Sequence, residues 1–150
     1  MNRKRILIAD AHPTMTASVR LLLKDRFDVM LMVADESSLR DAVERGQFDL
    51  VIVDLSMPVS SGENVSRFLH RMSPEVKFIV LSVHDDPVAA IECLAAGAKG
   101  FVLKRTAVND LIPAVEGVLR GEVYVSPDIE TNHGQASPKT REESKRRETR

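Results

Sequence analysis

Asp10, Asp54, Ser82 and Lys104 each stand directly after a short apolar run. Two acids, a hydroxyl and an ammonium, if brought to one edge of a sheet, can move a phosphoryl group onto a carboxylate. Asp54 is the expected nucleophile, giving an acyl phosphate. The arriving group brings three charged oxygens, which a divalent cation and an ammonium must neutralise. Magnesium takes hard oxygen ligands. Asp10 and Asp54 can supply carboxylates, and a backbone carbonyl just after Asp54 can complete the set. Lys104 can pair with the phosphoryl oxygens, and Ser82 can donate a hydrogen bond to them. Strands usually end in polar residues, so any one of these positions alone means little. The signal is four complementary groups at four such ends.

The runs that must position them are Ile6–Ala9, Val29–Val33, Leu50–Val53, Phe78–Leu81 and Gly100–Leu103. They are continuous rather than alternating and rich in Val and Ile, as are parallel strands buried on both faces. Between them lie helical stripes: Met15, Val19, Leu22 and Leu23; Leu39, Ala42 and Val43; Val65, Phe68, Leu69 and Met72; Val88, Ile91 and Ala95; and Leu111, Ala114, Val115, Val118 and Leu119. Each predicts one apolar face laid on a sheet. Pro13 suits a first helical turn. Gly46 and Gly97 suit left-handed caps, and Thr106 can cap the last helix. Pro113 is discordant inside that helix, because it removes the hydrogen bond to Asn109. The alternation predicts an α/β fold of βα units with right-handed crossovers, an open doubly wound parallel sheet. In such sheets ligands gather beyond the carboxyl ends of the strands, where the four residues fall.

The chain has 150 residues, 43% hydrophobic and 29% charged, with a formal net charge of −1. Nothing at that level points to nucleic acid or a membrane surface. The lone cysteine, Cys93, sits in an apolar stretch, expected as packing rather than a reactive thiol. It allows no disulfide within the chain, which fits a reducing cytoplasmic compartment. The apolar run after the basic start ends at Asp10, too short for a signal peptide, and no run is long enough to span a membrane. Residues 1–125 are expected to form the domain. Residues 126–150 carry little apolar bulk beyond Ile129, and Ser137–Arg150 holds six Lys/Arg against three Glu. That stretch is expected to be a polar, disordered linker or tail.

The segments Ile6–Pro13, Val53–Pro58 with Gly62, Leu81–His84, Gly97–Lys104 and Leu111–Ile112 resemble the receiver domain of two-component response regulators, over residues 4–121. The Asp-x-His-Pro start and the closing Gly121–Pro127 are similar to the NarL/FixJ branch, which normally carries a LuxR-type DNA-binding output domain. The resemblance implies a flavodoxin-like (βα)5 sheet in the order 2-1-3-4-5. It implies Asp54 as phospho-acceptor and Mg2+ held by Asp10, Asp54 and the Ser56 carbonyl. It also implies Ser82 as the switch hydroxyl, Lys104 as phosphoryl partner and Phe101 as the switch aromatic. The implied partners are a histidine kinase or phosphotransfer protein, and a second copy of the chain. DNA would be reached only through an output domain, in transcription regulation, and no helix-turn-helix pattern follows residue 127. A natural stand-alone receiver and a fragment are both open.

Two features depart from the family pattern. The usual pair of adjacent acids is Asp10-Ala11 here, so one metal-facing carboxylate is missing. Asp10 turning inward, or Asp85 or Asp86 reaching in, are the candidate replacements. Phe101 also lacks the hydroxyl of a switch tyrosine. His12 reads as a capping or surface residue, having no metal-ligand spacing with another His or Cys. His84 borders the implied pocket and could tune phosphoryl lifetime. Against the phosphoryl switch, Ala11 favours a phosphate-independent binding module. A conventional phosphohydrolase would want an acid where Ser56 stands, so the chain is not expected to be an enzyme in that sense.

Overall fold

The computed structural model describes residues 3–129. Six strands are β1 (Arg5–Ala9), β2 (Asp28–Val33), β3 (Leu50–Asp54), β4 (Phe78–Ser82), β5 (Gly100–Leu103) and β6 (Tyr124–Val125). Five helices are α1 (Pro13–Leu23), α2 (Glu36–Arg45), α3 (Val65–Met72), α4 (Pro87–Ala95) and α5 (Ala107–Leu119). All strand pairs are parallel, in the order β2-β1-β3-β4-β5-β6. The expected order of the first five strands holds, and a sixth, two-residue strand is added beside β5.

Period-two alternation divides the core. Leu7, Ala9, Val51, Val53 and Val80 point to one face, under Leu39, Val43, Phe68 and Leu69 of α2 and α3. Ile6, Ile8, Ile52, Ile79 and Leu81 point to the other, under Val19, Leu23, Leu111 and Val115 of α1 and α5. Buried on both faces, the central strands have no polar positions to alternate with. The strand β2 departs from that expectation: Met30, Leu31 and Met32 are all exposed. It is the edge strand, covered on one side only by β1, and its register slips between Ile6 and Leu7.

Local signals mostly act as expected. Pro13 opens α1, and Gly46 ends α2 at φ +66°. Asp35, Asn64 and Asp86 cap α2, α3 and α4 by accepting backbone N–H bonds. Two expectations need correction. The Val88–Ile91–Ala95 stripe of α4 faces outward, and Ala90 and Cys93 face the sheet instead. Apart from the exposed Glu92 that helix is apolar on every side, so the apolar pattern alone did not orient its stripe. Thr106 precedes α5 but makes no side-chain cap bond, because its hydroxyl donates to Asp110 Oδ2 at 2.5 Å. As expected, Pro113 lies inside α5, which runs from Ala107 to Leu119.

Packing also runs past residue 125. Ser126 N–H donates to the Phe101 carbonyl, Ser126 Oγ accepts from Leu103 N–H, and Ile129 is buried in the core. The boundary expected at residues 125–126 therefore falls within the folded body, because β6 carries the chain back along β5. The remainder of the expected tail, residues 130–150, lies outside the described residues. Among the described residues, no helix is long and apolar enough to cross a membrane.

Candidate phosphoryl and metal site

The adjacent strands β1 and β3, and β5 beyond β4, end at the same sheet edge, and that edge assembles the site. Asp10 follows β1, with its N–H bonded to the Val33 carbonyl at 3.0 Å. Asp54 is the last residue of β3, and Lys104 follows β5. Lys104 Nζ lies 2.9 Å from Asp54 Oδ1 and 3.2 Å from Asp10 Oδ2, all three side chains being almost fully buried. One ammonium thus stands between two carboxylates.

The opposite oxygens face His12. Its Nδ1 is 2.9 Å from Asp10 Oδ1 and 3.8 Å from Asp54 Oδ2, and its backbone N–H donates to the same Asp10 oxygen at 2.8 Å. His12 occupies the N-cap position of α1 without capping it, because the ring turns to Asp10 instead. The sequence suggested a capping or surface role for it. The ring is indeed largely exposed, but it is aimed at the pocket. The available signal was its position two residues beyond Asp10, next to the alanine that replaces an acid. Ser56 contributes its hydroxyl, which donates to Asp54 Oδ2.

The other expected residues lie outside this cluster. Ser82, buried at the end of β4, donates through Oγ to the His84 carbonyl at 2.9 Å and accepts from the His84 N–H at 3.0 Å. The His84 side chain is exposed, so it is the backbone of His84 that occupies the Ser82 hydroxyl. Phe101 is fully buried in the core beneath α3 and α4. Asp85 pairs with Arg105 at 3.3 Å, and Asp86 caps α4, so the structure shows other work for both suggested replacement acids.

Two buried carboxylates against one buried ammonium leave an unbalanced negative charge, which is costly in a low-dielectric pocket unless a cation joins it. The donors suit a divalent ion: hard carboxylate oxygens from Asp10 and Asp54, with the imidazole of His12 beside them.

The chain has counterparts among known proteins. The family model "response regulator receiver domain" matches residues 6–116. The chain is 32% identical over 133 residues to the transcriptional regulatory protein DegU of Brevibacillus brevis, covering 87% of this chain and 56% of DegU. It is 31% identical over 127 residues to the response regulator UvrY of Escherichia coli, covering 83% of this chain and 58% of UvrY. Among solved structures, the RcsB response regulator of Salmonella typhimurium superposes with a TM-score of 0.80 at 25% identity, over 87% of this chain and 65% of that one. A LuxR-family two-component response regulator from Aurantimonas superposes with a TM-score of 0.78 at 25% identity, over 87% and 94%. The chain spans little more than half the length of the curated relatives it matches.

Proposed function

The chain belongs to the response regulator receiver domain family, in its LuxR/NarL branch, and on that premise we propose that it is a phosphorylation-dependent switch whose acceptor is Asp54. The observation that carries this is the Lys104 ammonium held between Asp54 and Asp10 at the sheet edge.

Asp54 attacks the phosphorus of a phosphohistidine or a small acyl phosphate. One P–O bond to Asp54 forms as the bond to the donor breaks, and the donor leaves with the electron pair. Lys104 already contacts Asp54 Oδ1, so its charge lies beside the oxygens that arrive there. Asp10, Asp54 and the Ser56 carbonyl would hold Mg2+, which supplies the further positive charge that the phosphoryl oxygens require. The Ser56 hydroxyl, now on Asp54 Oδ2, yields that oxygen to the reaction.

Switching follows from what Ser82 must give up. Its two bonds to the His84 backbone are worth about 0.5–1.5 kcal/mol each. A charge-assisted bond to a phosphoryl oxygen is roughly twice as strong as a neutral one, so the exchange is close to balanced. That suits a two-state equilibrium biased by phosphorylation. Movement of Ser82 shifts the end of β4 against β5 and Phe101. The outward Val88 and Ile91 of α4 lie on the element that follows. A histidine kinase or phosphotransfer protein would supply the phosphoryl group. Dimerisation and DNA control through an output domain would follow in transcription regulation, in keeping with RcsB, which has been solved as dimers bound to DNA. The domain acts once per phosphorylation rather than turning over a separate substrate.

The test is incubation with acetyl phosphate, with and without Mg2+, read by intact mass beside Asp54→Asn. One added phosphoryl group that needs Mg2+ and is absent from the variant is expected. No addition, under conditions that label another receiver, would refute the reading.

A further inference from the structure

The pocket holds a donor that the phosphoryl reading does not use. One atom each from Asp10, His12 and Asp54 fall within 4.8 Å of one another. His12 is held in place at the backbone, where its N–H bonds to Asp10 Oδ1. The adjoining Pro13 starts α1, so the loop that presents the ring is short. The ring itself is 64% exposed, so no packing drives it over the carboxylates. Donors about 2.0–2.2 Å from a tetrahedral ion lie about 3.4 Å from one another. The observed 2.9 Å and 3.8 Å separations of His12 Nδ1 from the two carboxylates straddle that spacing.

We infer that His12 is a ligand of the divalent ion in this pocket, standing in for the acid that Ala11 lacks. The pocket then takes a borderline first-row ion such as Co2+ or Zn2+ in preference to Mg2+. This rests on the phosphoryl-transfer reading of the site and specifies its ion. The chemistry follows from the donor set. Magnesium seeks oxygen ligands and sheds water reluctantly, so exchanging a carboxylate for an imidazole weakens it. Imidazole suits later first-row ions, whose affinity for mixed nitrogen and oxygen sites is higher throughout. With Asp10, His12 and Asp54 as its three protein donors, such an ion keeps the open coordination position that a phosphoryl oxygen requires, and the Ser56 carbonyl is then not needed as a ligand.

The experiment titrates the full chain with Co2+, followed by its visible d–d absorption, and with Mg2+, followed by calorimetry. The proteins are wild type, His12→Asn and Asp54→Asn. Because His12 is exposed, its substitution leaves the core untouched, and circular dichroism checks that it does. His12→Asn is expected to weaken Co2+ by at least the roughly 10–100-fold that even an outer partner of a metal ligand contributes. Mg2+ affinity should move by less than about twofold, as expected for an ion that prefers oxygen donors. Asp54→Asn should weaken both ions. Unchanged Co2+ affinity and spectrum in His12→Asn, or equal losses for the two ions, would overturn the inference. Intact-mass measurement of phosphoryl uptake on the same samples separates the two ideas. Uptake that persists while Co2+ binding ignores His12 removes the ligand assignment and keeps Asp54. Absence of uptake with either ion removes the phosphoryl reading, and with it the inference.

Discussion

Replacing Lys104 with Met keeps most of the aliphatic stem and deletes the charge that lies between the two acids. At an effective dielectric near 20, unit charges at the observed 2.9 Å and 3.2 Å attract by about 6 and about 5 kcal/mol respectively. Much of that is offset by the desolvation of three buried groups, so the Coulomb sum is not the net effect. The relevant change is the loss of the partner, which leaves two buried carboxylates facing each other. Breaking such a pair costs about 3–5 kcal/mol. A divalent ion then becomes the sole strong counter-charge in the pocket, and its linkage to stability should grow. An ion at 100 times its dissociation constant adds about 2.7 kcal/mol. Urea unfolding of wild type and Lys104→Met, each with and without divalent ion, measures both effects. Expected is a loss of about 3–5 kcal/mol without metal, and a larger metal-dependent gain in the variant than in wild type. Adding Asp10→Asn should recover part of the loss, since the two changes share partners. A metal-free variant within about 0.5 kcal/mol of wild type, the scatter of uncoupled sites, would show that the ammonium and the acids are not coupled.

Ala11→Asp, which restores the second acid, should raise Mg2+ affinity in calorimetry by about tenfold, a fraction of the roughly 4 kcal/mol that a charge 4 Å from the ion could supply; an unchanged affinity would show that residue 11 does not face the ion. Asp110 is buried and accepts hydroxyl bonds from Thr106, Tyr124 and Ser126. Asp110→Ala should therefore cost about 1–3 kcal/mol and speed amide exchange in residues 124–129, and uniform exchange across the domain would argue against a local clasp. Burial raises the Cys93 thiol above its ordinary value, so the folded state holds that proton more tightly than the unfolded chain. Its contribution is whole below the ordinary thiol range and is lost as pH rises from that range through the raised folded value. Cys93→Ala should flatten the alkaline decline in urea midpoint, and parallel curves for the two proteins would contradict this.

Much of the architecture was legible because the central strands are buried on both faces. Leu50–Val53 and Phe78–Leu81 have no polar positions, and only a doubly covered parallel sheet makes that pattern stable. The stripe of α3 was equally plain, with Phe68 and Leu69 opposite Arg67 and His70. What failed was orientation where both faces are apolar. In β2, Met30, Leu31 and Met32 look like core, and edge position depends on which strand lies next to which. In α4, Val88 and Ile91 compete with Ala90 and Cys93, and only the packed sheet decides between them. The strand β6 is two residues long, too short for any period, and Ser126 is buried through hydrogen bonds that hydropathy does not register. At the site, Asp10, Asp54 and Lys104 were readable from their strand ends. His12 was not, because its role depends on a turn of the chain that points one ring back at the residue two before it.

The central claim is that the carboxylate of Asp54, among several acids and the nearby His12, takes the phosphoryl group. Borohydride reduction of freshly labelled protein, followed by peptide mass mapping, tests this directly, since an aspartyl phosphate is reduced to homoserine. Homoserine at position 54 alone is the expected result. Phosphate on His12, homoserine at position 10, or no reducible adduct in labelled protein would contradict the account.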